Sequence, residues 1–199
     1  MNTLFQFKEQ FLSDARRYMD DKTFGKFQRK GLFRQYYSIR HIPGLRFSCW
    51  MRLCSALRGK IVWIPVYVIA LNRFIHYQYK YGISIPFNTK IGKGFYIGHF
   101  GCIVVSPSAV IGNNVNISQG VTIGVTNRGD KAGVPIIGDC VYIGPGAKII
   151  GAIHIGNNVA IGANAVVTHD VTDNAVVAGV PARIISTNGA EGYVNRRFE

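Results

Sequence analysis

Ile137-Gly138-Asp139-Cys140-Val141-Tyr142-Ile143-Gly144-Pro145-Gly146-Ala147-Lys148-Ile149 opens a run in which every sixth residue is aliphatic, continuing through Ile155, Ile161 and Val167. The same beat runs upstream through Ile85, Ile91, Ile97, Val105, Ile111, Ile117 and Ile123. Four residues after the aliphatic stands a small or β-branched residue, as at Ala109, Val115, Val121, Val141, Ala147, Val159 and Ala165. That residue and the next aliphatic are two apart, so both point to one side of an extended strand. The residues between successive pairs must turn a corner. Gly and Asn tolerate the positive φ that corners need, and Asn113-Asn114 and Asn157-Asn158 stand there. One unit cannot bury its own apolar side, so the units are expected to stack into a parallel β-helix with an aliphatic interior.

The beat breaks twice. Ile103 and Val104 read as two extra residues before Val105, and a polar excursion runs from residue 125 to 136. Loops that leave a rigid scaffold tend to carry function.

The N-terminal region reads as helical. Leu4, Phe7, Phe11, Leu12, Ala15, Tyr18 and Met19 share one helical face, and Trp50, Leu53, Cys54 and Leu57 another, with a break at Pro43-Gly44. The expected organisation is a basic helical region over 1–82, the coil over 83–185 and a tail over 186–199. Residues 1–84 hold fifteen Lys/Arg against four Asp/Glu, whereas the remainder holds eight against six. A basic half suggests an anionic partner, and no nucleic-acid-binding signature accompanies it. The longest apolar run, Ile61 to Leu71, is shorter than the roughly 20 residues a bilayer-spanning helix needs. The basic region is therefore expected either to touch an anionic membrane surface or to form a solvated face of packed helices. Nothing at the start of the chain reads as a secretory signal, and Cys49, Cys54, Cys102 and Cys140 lack metal-binding spacing. A cytoplasmic protein without a metal is expected, with the inner membrane face as a further location.

The repeats, together with Gly98-His99-Phe100-Gly101-Cys102-Ile103-Val104-Val105 and Ala178-Gly179-Val180-Pro181-Ala182-Arg183-Ile184, resemble the serine acetyltransferase branch of the hexapeptide acyltransferases. Within that branch the chain looks most similar to the short members that O-acetylate capsule, O-antigen and exopolysaccharide. The resemblance implies a left-handed coil, a homotrimer, and acetyl-CoA lying in a groove between subunits. It also implies direct acetyl transfer to a hydroxyl with His99 as the catalytic base.

Two departures bear on the acceptor. Family members that acetylate serine carry Asp-His where Gly98-His99 stands and Arg-His-Pro where Gly133-Val134-Pro135 stands. Ser84 replaces an Asp that assists the histidine. Burying the charges of serine unpaired would be costly. The expected acceptor is therefore a sugar hydroxyl of a surface polysaccharide or its precursor. Serine O-acetylation for cysteine biosynthesis is the alternative, and a non-catalytic β-helix binding protein the third reading.

By resemblance, Gly144-Pro145 and Gly162-Ala163 bring bare backbone to the pantetheine arm, and Arg183, with Lys148 as a second candidate, pairs with CoA phosphates. Gly124 marks an oxyanion donor, and Thr168 and His169 lie near CoA, His169 reading equally well as a surface corner. Asn116, Gln119 and Arg128 are candidates for the acceptor site by position. His154 and His169 do not reproduce the three-histidine zinc site of γ-class carbonic anhydrases.

Overall fold

The computed structural model describes residues 3–199. Five α-helices precede a left-handed parallel β-helix of three sheets, making the chain mainly β with a helical start. Face 1 stacks Ile83–Ser84, Ile103–Val105, Thr122–Gly124, Lys148–Ile150 and Val166–Val167. Face 2 stacks Lys90–Ile91, Val110–Ile111, Ile136–Ile137 and His154–Ile155. Face 3 stacks Tyr96–Ile97, Asn116–Ile117, Tyr142–Ile143, Ala160–Ile161 and Val176–Gly179 and ends on antiparallel Ala182–Ser186. The sixth-position aliphatics fill the interior, from Ile85 and Ile97 to Ile161 and Val167, all buried.

The corners explain the Gly and Asn content. Asn114, Asn158, Asn164 and Asn174 take positive φ, and so do Cys102 and Cys140. Between faces 2 and 3 a ladder of side-chain oxygens runs down the coil. Asn113 Oδ1 accepts from the Lys93 amide, Asp139 Oδ1 from Asn113, Asn157 Oδ1 from Asp139, and Asp173 Oδ1 from Asn157, at 2.7–2.9 Å. The glycines before Asn113, Asp139 and Asn157 are forced by crowding: a Cβ on Gly112 would stand 2.6 Å from the Gly138 carbonyl oxygen.

The helices are α1 (Thr3–Arg16), α2 (Asp21–Gln28), α3 (Leu32–Ser38), α4 (Pro43–Leu57) and α5 (Ile64–Tyr81), with a 3₁₀ turn, Ile61–Trp63, before α5. Pro43 opens α4 at a position where its missing N–H costs nothing, so Pro43-Gly44 is the start of a helix and not a gap between two. Tyr18 and Met19 lie past the end of α1.

Charged groups clamp these helices to the first coil. Asp14 and Arg52 form a buried two-pronged pair (3.0 and 3.1 Å). Arg52 also donates to the carbonyls of Ile91 and Gly92, and Asp14 accepts from the Phe95 amide. Arg17 donates to Gly94, Asn195 and Asn116, and burial pulls its pKa down to about 10, so it stays charged at neutral pH. The C-terminal residues return along face 3. Tyr193 stacks on Tyr142, and Asn114 exchanges two hydrogen bonds with the Phe198 backbone.

Candidate active site

His99 stands on the corner joining face 3 to face 1. In the next coil that corner holds three residues, 118–120, between Ile117 and Val121; here it holds five, 98–102, between Ile97 and Ile103. The two extra residues therefore belong to the corner. Ile103 and Val104 are in register with Ile83 and Ser84 and are ordinary coil positions, contrary to the reading from periodicity. The widened corner is pinned at both ends. The Gly98 amide donates to Ile117, the Ile103 amide to Gly82 and the Gly120 amide to the Gly101 carbonyl (2.8–3.2 Å). Phe100 packs on Tyr81, which stacks on Tyr77 of the same helix, so α5 buttresses the corner. Gly98, His99 and Phe100 are exposed, and among the described residues no group hydrogen-bonds the imidazole. Ser84 does not orient it within this chain.

Below His99 the same edge carries, coil by coil, Gln119, Gly144-Pro145-Gly146 and Gly162-Ala163. They are joined by the Gly146 amide on the Gln119 carbonyl and the Asn164 amide on the Pro145 carbonyl. Strand spacing of about 4.8 Å puts three coils at roughly 15 Å. The edge continues to Ala178, whose Cβ lies 3.1 Å from where a Gly162 Cβ would be, and Ala178 pairs with Arg183. His99, Gln119, Gly144, Pro145, Gly162, Ala163 and Arg183 thus follow one line. Gln119 Oε1 on that line is buried without a hydrogen-bond partner among the described residues.

Gly124, Arg128, Thr168 and His169 lie along the opposite edge of face 1. There the excursion leaves after Gly124, closes a two-residue bridge between Thr126 and Gly133, and rests on the next coil through the Ala152 amide and Lys131 carbonyl. One chain therefore does not bring Gly124 and His99 together. Lys148 lies between the two edges, its ammonium bonded to the Gly120 carbonyl and Thr122 hydroxyl.

Asn116 does not line an open site. It is buried on face 3, its oxygen accepting from Arg17 and its nitrogen donating to the Tyr193 carbonyl, because the C-terminal residues cover that face. Pattern alone missed this: Ala190, Tyr193, Val194 and Phe198 in an otherwise polar tail were the available signal that the tail packs back.

These stacked six-residue units are those of the hexapeptide-repeat transferases. The family model described as "Bacterial transferase hexapeptide (six repeats)" matches residues 135–169. The serine acetyltransferase of Bacillus subtilis strain 168 is 42% identical over 158 residues, 78% of this chain and 70% of that protein. The chain accordingly belongs to the serine acetyltransferase family. The serine acetyltransferase of Staphylococcus aureus strain Mu50 is 44% identical over 118 residues, 59% of this chain and 54% of the relative. That of Bacillus licheniformis is 42% identical over 108 residues, 54% of this chain and 50% of the relative. The chain thus spans about half the length of these last two relatives. Among solved structures, Neisseria gonorrhoeae serine acetyltransferase in complex with serine superposes with a TM-score of 0.69 at 28% identity. That match covers 92% of this chain and 72% of the other. A serine acetyltransferase complex with CoA gives 0.65 at 29%, covering 92% and 70%.

These likenesses overturn the surface-polysaccharide sugar as acceptor, since the relatives at 42–44% identity are serine acetyltransferases. The departures at Gly98 and Gly133-Val134-Pro135 do not outweigh them. The excursion itself exposes a guanidinium and a carboxylate, Arg128 and Asp130, neither held in an ion pair among the described residues.

Proposed function

We propose that this chain transfers the acetyl group of acetyl-CoA to the hydroxyl of serine, with His99 as general base. The observation that carries the reading is the widened corner. It holds an exposed imidazole, without a hydrogen-bond partner among the described residues, at the head of an edge of bare backbone where a thioester arm can lie close.

The imidazole takes the hydroxyl proton as the oxygen attacks the thioester carbonyl. The tetrahedral intermediate then expels the CoA thiolate, which recovers that proton. Gly144, Pro145, Gly162 and Ala163 would flank the pantetheine arm, and Arg183 would meet phosphate at the far end. Gly124, Thr168 and His169 would complete the groove from a neighbouring copy in a homotrimer, since the two edges of face 1 are separate in one chain. The same copy's excursion would bring Arg128 to the carboxylate of serine and Asp130 to its ammonium, meeting the need for paired charges. Gln119 Oε1 would accept from the bound acceptor. Four free cysteines suit a reducing cytoplasm, where we place the reaction.

The test is thiol release from acetyl-CoA by the purified chain with L-serine. Serine-dependent CoA release, with a raised KM and little-changed kcat in Arg128→Ala, is the expected result. A chain that binds acetyl-CoA yet releases no thiol with serine would overturn the acceptor assignment.

A further inference from the structure

From Lys22 to Gly129 the sequence holds fifteen Lys and Arg and not one Asp or Glu. One strongly exposed part of this stretch is also apolar. In the 3₁₀ turn, Ile61 and Val62 are 82% and 89% exposed, and in the first turns of α5 Ile64, Val68 and Ile69 are exposed by half or more. α5 packs inward through Ala70, Phe74, Tyr77 and Tyr81, so its outward aliphatics are surplus to the core. Further along, its outward surface mixes polar and basic Asn72, Arg73, His76 and Lys80 with Ile75 and Tyr79.

Four exposed cations flank this ridge along the chain: Arg58 and Lys60 before it, Arg73 and Lys80 further along α5. None forms an ion pair among the described residues. The arrangement selects its occupant. A second copy seated on the ridge by two-fold symmetry would press like charges together with no local carboxylate to relieve them. Solvent alone leaves a contiguous aliphatic surface wet. An anionic bilayer offers acyl chains to the ridge and lipid phosphates to the cations. No helix among the described residues is long and apolar enough to cross a membrane, so α5 would lie in the interface plane.

We propose that the 3₁₀ turn and the first two turns of α5 are a docking surface for an anionic lipid bilayer. Ile61, Val62, Val68 and Ile69 enter the headgroup–acyl boundary, and Arg58, Lys60, Arg73 and Lys80 meet the phosphates. This stands independently of the acetyl-transfer reading, because none of these side chains belongs to the candidate active site.

The test is co-sedimentation of the full chain with phosphatidylglycerol–phosphatidylethanolamine vesicles and with phosphatidylcholine vesicles. Binding to the anionic vesicles alone is expected, weakening as salt rises to ~0.15 M and the screening length shortens to about 8 Å. Val62→Asp with Ile69→Asp is expected to lower the partition coefficient at least tenfold, with circular dichroism and oligomeric state unchanged. Val62→Ser with Ile69→Ser stands in should the acidic pair misfold. No pelleting with anionic vesicles at low salt would overturn the proposal, as would undiminished binding of the double variant. Dissociation of the oligomer by the double variant would overturn it too, marking the ridge as a contact between copies.

Discussion

The upper and lower coils of the β-helix are built from one unit but keep different register. In the lower coils Ile137 pairs with Ile155, Ile143 with Ile161 and Ile149 with Val167, each partner three hexads further along the chain. In the upper coils the step is longer wherever a surplus segment lies between the partners: Ile91 pairs with Ile111 across the widened corner, and Ile111 with Ile137 across the excursion, whereas Val105 and Ile123, with neither between them, keep the three-hexad step. The interior is the same aliphatic column throughout, since both surplus segments leave at corners: 98–102 between faces 3 and 1, and the excursion between faces 1 and 2. A corner can thus be enlarged and chemically furnished without disturbing the packing below it. Catalysis and stability should therefore be separable by mutation, and the largest effects test that separation first.

His99→Ala removes the proposed base from an exposed corner that packs through its neighbours. The expected loss in kcat is about 10²–10⁴, with the thermal midpoint unchanged. A variant that keeps near-wild-type turnover removes His99 from the chemistry, and one that melts early denies that the corner is independent of the core.

Arg52→Met attacks the opposite side of the comparison, the clamp between helices and upper coils. It strands the Asp14 carboxylate, which is fully buried, and the expected destabilisation is about 3–5 kcal/mol by denaturant titration. Replacing both partners, Asp14→Leu with Arg52→Met, should recover much of that loss, because the desolvation of two charges disappears with them. Failure to recover would mean that the bonds from Arg52 to Ile91 and Gly92 matter more than the pair itself.

Replacing residues 127–132 by a two-residue Asn-Gly turn between Thr126 and Gly133, which already pair as an antiparallel bridge, should leave the fold intact. Serine KM should rise at least tenfold while acetyl-CoA binding by calorimetry changes little. An unchanged serine KM would remove Arg128 and Asp130 from acceptor binding.

The stacked interior was legible because a six-residue beat leaves few alternatives for where Ile85 or Ile161 can point. Register was not: the step from Ile97 to Val105 is longer than one hexad, and periodicity cannot say which two positions are surplus. Only strand pairing put the surplus in 98–102. The clamp was hidden for another reason. Asp14, Arg17 and Arg52 sit on or beside amphipathic helices, where charge ordinarily marks the solvated side, and their burial depends on coil carbonyls and amides far along the chain, at Ile91, Gly92, Gly94 and Phe95. Asn116 misled in the reverse direction. An outward polar residue on a strand reads as accessible until a distant segment covers it. The line from His99 to Arg183 required the three-sided stacking, since its members are scattered over successive coils in the sequence.

The smallest expected effect concerns the ladder between faces 2 and 3, which runs through the upper and lower coils alike. Asp139 is its middle rung. One oxygen accepts the Asn113 amide at 2.7 Å, while its own amide donates to Asn157. The rung is exposed, so water can replace part of what is lost, and Asp139→Ala should cost about 1 kcal/mol. Asp139→Asn keeps a carbonyl oxygen in the same place and should cost less than half of that, because the bond needs an acceptor and not a charge. Neither variant should alter serine turnover, since this edge lies away from the one that bears His99. Equal losses for Ala and Asn would show that the carboxylate charge stabilises the corner, and a loss of turnover would mean that the two edges are coupled through the aliphatic column between them.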